Sequence, residues 1–170
     1  MAYNPSDFQT PIPVVEYMVS MIPGEATTIL EPSPGDGNIV SKLDSKYMVT
    51  APKDFFLLDK REFDCVVMNP PFSSKFGIME NAPTAVNAKG MRLGYYFLTE
   101  CMKMSNNVIA LMPWFTISDS DVRLRNIMGH GLKSLTALPR KTFQYARIQT
   151  CVFELEKGYQ GPTEFKMFQF

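Results

Sequence analysis

Apolar positions recur along this chain with helical spacing in some stretches and as short continuous runs in others. Val14, Val15, Met18 and Ile22 follow helical spacing. Their helix should start at Thr10-Pro11, where threonine offers an N-cap and proline suits the first helical position, and stop at Pro23-Gly24. Residues 27–31 (TTILE) predict a short β-branched strand, and the GDGN after it a turn. A helix is expected over residues 38–43. Residues 63–68 (FDCVVM) are continuously apolar in their second half and end abruptly at Asn69-Pro70-Pro71. That is the pattern of a strand buried on both faces of a covered, mostly parallel sheet.

Residues 73–90 show little periodicity, contain Gly77, Pro83 and Gly90, and read as a long loop. Beyond them the pattern predicts a helix over 93–104 and a buried strand over 108–112. A short helix capped by Ser118 or Ser120 should then run to Met128, before Gly129 and Gly131. Two strands (132–138 and 148–155) flank a basic, aromatic turn, and residues 165–170 add a last one. Strands alternating with helices predict an α/β fold, with its site at the carboxyl ends of the strands.

A chain of 170 residues is about one domain's worth. With 45% hydrophobic and 20% charged residues it is not a disordered chain. No apolar run reaches the roughly 18 residues a membrane span needs. The start, MAYNPSDFQTPIP, has neither a basic region nor an apolar core, so a cytoplasmic protein is expected. Cys65, Cys101 and Cys151 are odd in number and far apart, which predicts buried reduced thiols, no disulfide and no metal site. Zinc fingers, secreted mini-proteins and membrane proteins are thereby set aside. The formal charge is zero, but it is unevenly spread: residues 1–72 carry 5 basic and 10 acidic side chains, and residues 73–150 carry 10 basic and 4 acidic. A basic face could attract phosphates, although sequence halves need not map to faces.

Two motifs carry candidate chemistry. Glu31-Pro32-Ser33-Pro34-Gly35-Asp36-Gly37 lies directly between a strand and an expected helix. Its glycines permit a tight turn and close approach of a ligand to the backbone. A carboxylate there suits a cationic or hydroxyl-bearing ligand better than a pyrophosphate. Taken alone, the G-x-G would also fit a plain turn. Asn69-Pro70-Pro71-Phe72 ends the buried strand, and its two prolines stiffen the loop. It fixes an amide oxygen (Asn69), a carbonyl acceptor (Pro70) and an aromatic face (Phe72) together. That set matches an exocyclic amino group on a planar ring, with a structural Asn-Pro turn as the alternative.

The order of these motifs resembles the adenine-N6 DNA methyltransferases that use S-adenosylmethionine, in the arrangement with the cofactor motif ahead of the catalytic one. Three further stretches are similar. Phe8-Gln9-Thr10-Pro11 resembles the cofactor motif ahead of the glycine loop. Asp54-Phe55-Phe56 resembles the Asp-Phe pair that holds the cofactor's adenine. Leu138-Pro139-Arg140-Lys141-Thr142-Phe143 resembles the late motif whose aromatic clasps the flipped base. The resemblance implies a Rossmann-like methyltransferase fold over a single domain, residues 1–170, without a separate target-recognition domain. It implies S-adenosylmethionine bound by Phe8, Thr10, Pro11, Glu31, Pro32, Ser33, Gly35, Gly37, Asp54, Phe55 and Asn69. Asn69, Pro70, Pro71 and Phe72 become the catalytic loop, with Phe72 and Phe143 against the target base.

One departure is that only residues 38–53 separate the glycine loop from Asp54, room for a helix and little else. The family's intervening strand, whose acidic end binds the ribose, is therefore expected to be missing with its helix. The expected substrate is DNA containing adenine, the expected setting restriction-modification, and a specificity partner or second copy would supply sequence choice. An RNA or protein-glutamine methyltransferase and a non-catalytic module with this fold stay open. Arg123, Arg125, Arg140 and Lys141, with Lys133 and Arg147, are candidate phosphate contacts, or simply a solvated charged face. His130, between two glycines, is expected in a solvated loop. Trp114 would line the target pocket or pack at the sheet edge.

Overall fold

The computed structural model describes residues 8–43, 45–72, 81–84, 86, 93–143 and 148–170. Most of the expected loop 73–90 lies outside these residues. Seven strands form one sheet in the order β2-β1-β3-β4-β6-β5-β7. They are β1 (Thr28–Leu30), β2 (Met48–Thr50), β3 (Cys65–Met68), β4 (Asn107–Pro113), β5 (Leu132–Ala137), β6 (Thr150–Glu156) and β7 (Glu164–Met167). β6 runs antiparallel to both its neighbours, β4 and β5, and every other pairing is parallel. Among the described residues the helices that accompany the sheet are α1 (Ile12–Ser20), α2 (Leu93–Met104), α3 (Phe115–Ser118) and α4 (Asp121–His130).

The continuous apolar strands follow from this layering. Val66 and Met68 of β3 enter one core with Phe97 and Leu98 of α2 and Ile127 of α4. Cys65 and Val67 enter the other, with Val14, Val15 and Met18 of α1. β4 divides in the same way, with Val108, Ala110 and Met112 on one side and Ile109 and Leu111 on the other. A strand covered on both faces has no polar face to show. All three cysteines are buried, as expected. Asp64 ties the sheet's near end together, accepting through Oδ2 from the backbone and hydroxyl donors of both Thr27 and Thr28.

Four expectations change. The strand expected to be missing is present: β2 is three residues long and pairs in parallel with β1, Thr28 opposite Met48. Its helix is what shrinks, since residues 38–43 yield only a 3-10 turn at Val40–Lys42. Thr10 does not cap α1; Pro11 occupies that position without a side-chain bond, and the threonine hydroxyl is used elsewhere. His130 is the last residue of α4, which runs through Gly129 and ends at Gly131, whose φ of +127° suits glycine alone. Ser120, one of the two expected caps, accepts from Arg123 N.

Candidate functional site

The chain passes from β1 outward to β2, then returns to place β3 on the other side of β1. The strand order reverses between β1 and β3, and open α/β sheets bind ligands in the crevice outside the carboxyl ends at such a point. The two motif loops leave these two strands. Between them lies a cleft of about 730 Å³, within the usual range for a small-molecule site.

Three chain segments far apart in sequence are fastened together at its floor. Asn69 Nδ2 donates to Phe8 O (2.9 Å) and Thr10 Oγ1 (3.0 Å). Asn38 Nδ2 donates to Thr10 O (3.0 Å), and Ser33 Oγ to Asn69 O (3.2 Å). Both amide hydrogens of Asn69 are thus committed, and Oδ1 is what the side chain retains as an acceptor. Pro71 and Phe72 lie close against the first turn of α2, where Gly94 leaves room: a Cβ there would stand 3.4 Å from both Phe72 Cδ1 and Pro71 O.

Glu31 is fully buried in the cleft wall. Its Oε1 accepts from Ser33 N (2.8 Å) and Ser33 Oγ (3.3 Å), while Oε2 is buried without a partner among the described residues. Loss of solvent pushes the carboxyl up to about 8, against the opposing pull of Ser33's backbone and hydroxyl bonds. Gly35 (φ +53°) and Gly37 (φ +88°) turn the chain after it. A Cβ on Gly35 would come 2.5 Å from Gln9 Nε2, the tip of a side chain that would have to move aside.

On the far wall Asp54 caps a 3-10 turn (Phe55–Leu57), accepting from Phe56 N (2.9 Å), and its other oxygen accepts from Asn81 Nδ2 (2.7 Å). Phe55 stacks on Phe97 with centroids 4.4 Å apart. Phe143, 5% exposed, reaches the same cleft from the turn after β5.

The cleft therefore gathers Phe8, Thr10, Glu31, Pro32, Ser33, Gly35, Asp54, Phe55, Asn69, Pro70, Pro71, Phe72 and Phe143. Pro11 and Gly37 are not in its wall; Pro11 O receives the first bonds of α1 and Gly37 shapes the turn. Asn38, Lys53, Asn81 and Phe97 also line it, and sequence reasoning missed all four. Asn81 lies in an unpatterned stretch and Phe97 reads as an ordinary apolar helix position. Only Asn38, a polar residue directly after the G-x-G, left a signal. Trp114 does not line the cleft.

The basic residues divide. Arg123 donates through Nε to Thr116 O (2.8 Å) and through Nη2 to Phe115 O (2.9 Å), so it fastens α3 to α4. Lys133 pairs with Glu154 and Glu156, and Lys103 with Glu100. Arg125 is exposed on α4, and Arg140 and Lys141 are exposed in the turn that carries Phe143. Arg147 lies outside the described residues. Among the described residues no cluster of three or more His, Cys, Asp or Glu could hold a metal, and no helix is long and apolar enough to cross a membrane.

No protein-family model and no curated protein matches this sequence. Solved structures do match in fold. A chain assigned as the modification subunit of a type I restriction enzyme from Vibrio vulnificus superposes with TM-score 0.70 at 18% identity, over 96% of this chain and 47% of that one. A protein from Listeria monocytogenes assigned to the class I S-adenosylmethionine-dependent methyltransferases gives 0.67 at 18%, over 95% and 65%. The type I restriction-modification methyltransferase subunit of Streptococcus thermophilus gives 0.69 at 16%, over 95% and 47%. This chain thus spans about half to two thirds of the length of these structures. The fold is the Rossmann-like fold of S-adenosylmethionine-dependent methyltransferases, with a mostly parallel seven-stranded sheet.

Proposed function

We propose that this chain transfers a methyl group from S-adenosylmethionine to the N6 amino group of an adenine flipped out of DNA, and that residues 1–170 act as one catalytic domain. The observation that carries the reading is the state of Asn69: with both amide hydrogens bonded to Phe8 and Thr10, the group it offers a ligand is an acceptor. Adenine N6 is a poor nucleophile because its lone pair is delocalised into the ring. Asn69 Oδ1 and the Pro70 carbonyl would accept its two hydrogens and draw the nitrogen toward a tetrahedral geometry. No acid or base of unusual strength is then required, only positioning. Phe72 and Phe143, both in the cleft wall, would replace the stacking that a flipped base loses.

Glu31 supports the cofactor assignment. A buried carboxyl oxygen without a partner among the described residues, in the wall of a cleft, suits a hydroxyl group of a ligand, or an ammonium that would draw off its proton. Phe8, Thr10, the loop from Glu31 to Gly37, Asp54 and Phe55 would hold the cofactor, which when bound supplies an electrophilic sulfonium methyl. Arg125, Arg140 and Lys141 would meet DNA phosphates, while the bonds made by Arg123 favour a structural role for it. Sequence choice would come from a partner or a second copy, a reading supported by the presence of this fold in modification subunits of restriction systems.

One observation favours a second reading. β2 ends at Thr50, and Pro52 and Lys53 follow it into the cleft wall, so no acid stands at the strand's end to take ribose hydroxyls. A module that kept the fold and lost the cofactor would look the same there. Calorimetry with S-adenosylmethionine decides between the two, and a labelled-cofactor assay on DNA, RNA and glutamine-containing protein decides the substrate. Binding followed by label on adenine N6 is the expected result; absence of binding would end the catalytic reading.

A further inference from the structure

β7 closes the sheet on the side away from the cleft, and its outer backbone edge is unpaired among the described strands. Phe168 N donates to Ala137 O on β5. By the two-residue alternation of a strand, the N–H and C=O of Lys166 and Glu164 also turn toward β5, and those of Phe165 and Met167 turn outward. The same two residues carry large exposed apolar side chains, Phe165 at 62% and Met167 at 74%. Phe165 is in register with the buried Leu135 of β5, so it extends that core laterally past the sheet's last strand. Met128 of α4 lies beside the start of β7, its sulfur 3.9 Å from Thr163 Oγ1, and is itself 45% exposed. Edges of this kind template pairing with another strand unless charge opposes it.

We propose that the occupant of this edge is a second copy of the chain, paired β7 to β7 in antiparallel sense about Phe165. The charges select both the partner and the register. Only residues with outward backbone groups can exchange hydrogen bonds across the new pair, which leaves two-fold axes at Phe165, Lys166 or Met167. An axis at Lys166 places that lysine opposite its own copy, and an axis at Met167 places Lys166 opposite Phe168 and Glu164 opposite Phe170. The axis at Phe165 instead sets Glu164 against Lys166 of the second copy, twice by symmetry. Glu164 and Lys166 now pair within one strand at 2.9 Å, and they would exchange partners across the edge. Phe165 then faces Phe165 of the second copy on the other face of the sheet. Lys166 alone would guard an edge, but alternated with Glu164 it makes the edge self-complementary. The axis is perpendicular to the sheet, so the two clefts open in opposite directions and neither is covered. The inference therefore does not depend on the proposed chemistry.

Sedimentation of the whole chain across a concentration series tests it, read beside hydrogen exchange at the Phe165 amide. A concentration-dependent dimer, with that amide gaining protection as the dimer forms, is the expected result. Glu164→Lys replaces two attractive cross-strand pairs by two repulsive ones and should weaken the dimer on the order of tenfold to a hundredfold. The double change E164K/K166E restores the complementarity and should restore the dimer, while refusing to pair with the unmodified chain. A monomer at every concentration, a dimer indifferent to E164K, or failure of the double change to rescue it would overturn the proposal.

Discussion

Glu31→Gln should remove a pH dependence of stability and leave the variant increasingly more stable than the natural protein as pH rises. Burial raises the Glu31 carboxyl from 4.5 in the open chain to about 8 in the fold. Between those values the folded state holds a proton that the unfolded state has released, so stability falls as pH rises, by up to about 1.4 kcal/mol per unit. The penalty is absent well below pH 4.5, grows through the window and levels off above pH 8 at about 5 kcal/mol. Between pH 5 and 8 this one group should therefore cost the ligand-free protein about 3–4 kcal/mol. Glutamine keeps the shape and the acceptor for Ser33 but does not titrate. Urea unfolding of both proteins at intervals from pH 5 to 8.5 isolates the effect, because groups unrelated to position 31, such as His130, whose burial and neighbour Lys157 hold it below its usual range, cancel in the difference. The two midpoint profiles should diverge, with the variant gaining steadily on the natural protein as pH rises. Parallel profiles would show that Glu31 is already ionised in the fold at neutral pH, and the argument that burial holds its proton there would fall.

Asn69→Ala should lower turnover on the order of 10²-fold or more while changing cofactor affinity far less, because Oδ1 acts on the nucleophile in the transition state; single-turnover methylation beside calorimetry separates the two. Gly35→Val should abolish cofactor binding and lower stability by about 1–2 kcal/mol, since φ of +53° is strained for any side chain and the new Cβ meets Gln9; unchanged affinity in a folded variant would remove the loop from the site. Replacing Arg140 and Lys141 by alanine should weaken DNA binding about equally across sequences and reduce the slope of log K against log salt by roughly 0.9 for each phosphate that is no longer neutralised. Affinities of about 10⁻⁴ to 10⁻⁶ M, typical of non-specific binding, are expected for the natural chain. Efficient, salt-insensitive methylation of one long site by this chain alone would mean that it reads bases itself.

What the sequence determined by itself was whatever a few neighbouring residues decide together. Cys65–Met68 and Val108 to Met112 are short runs apolar at consecutive positions and end at prolines, the pattern of a strand with both faces covered. Helical spacing marked α1 and α2, and the two strand-end loops were legible because glycine and proline constrain backbone wherever they stand. β2 was not legible. Met48, Val49 and Thr50 are too few for a period to show, and their extended form is fixed by the ladder to β1. The helix over 38–43 failed for the converse reason, since fewer than two turns of favourable pattern without tertiary burial do not hold an α-helix. Partners across the chain were likewise left to the fold: the hydroxyl of Thr10, locally a helix cap, is taken by Asn69 from 59 residues away, and the guanidinium of Arg123, locally a surface cation, by carbonyls of α3. Glu31 shows the division most plainly. Its place at a strand end was visible in the sequence, but its protonation depends on how completely the surrounding segments exclude water, and only packing sets that.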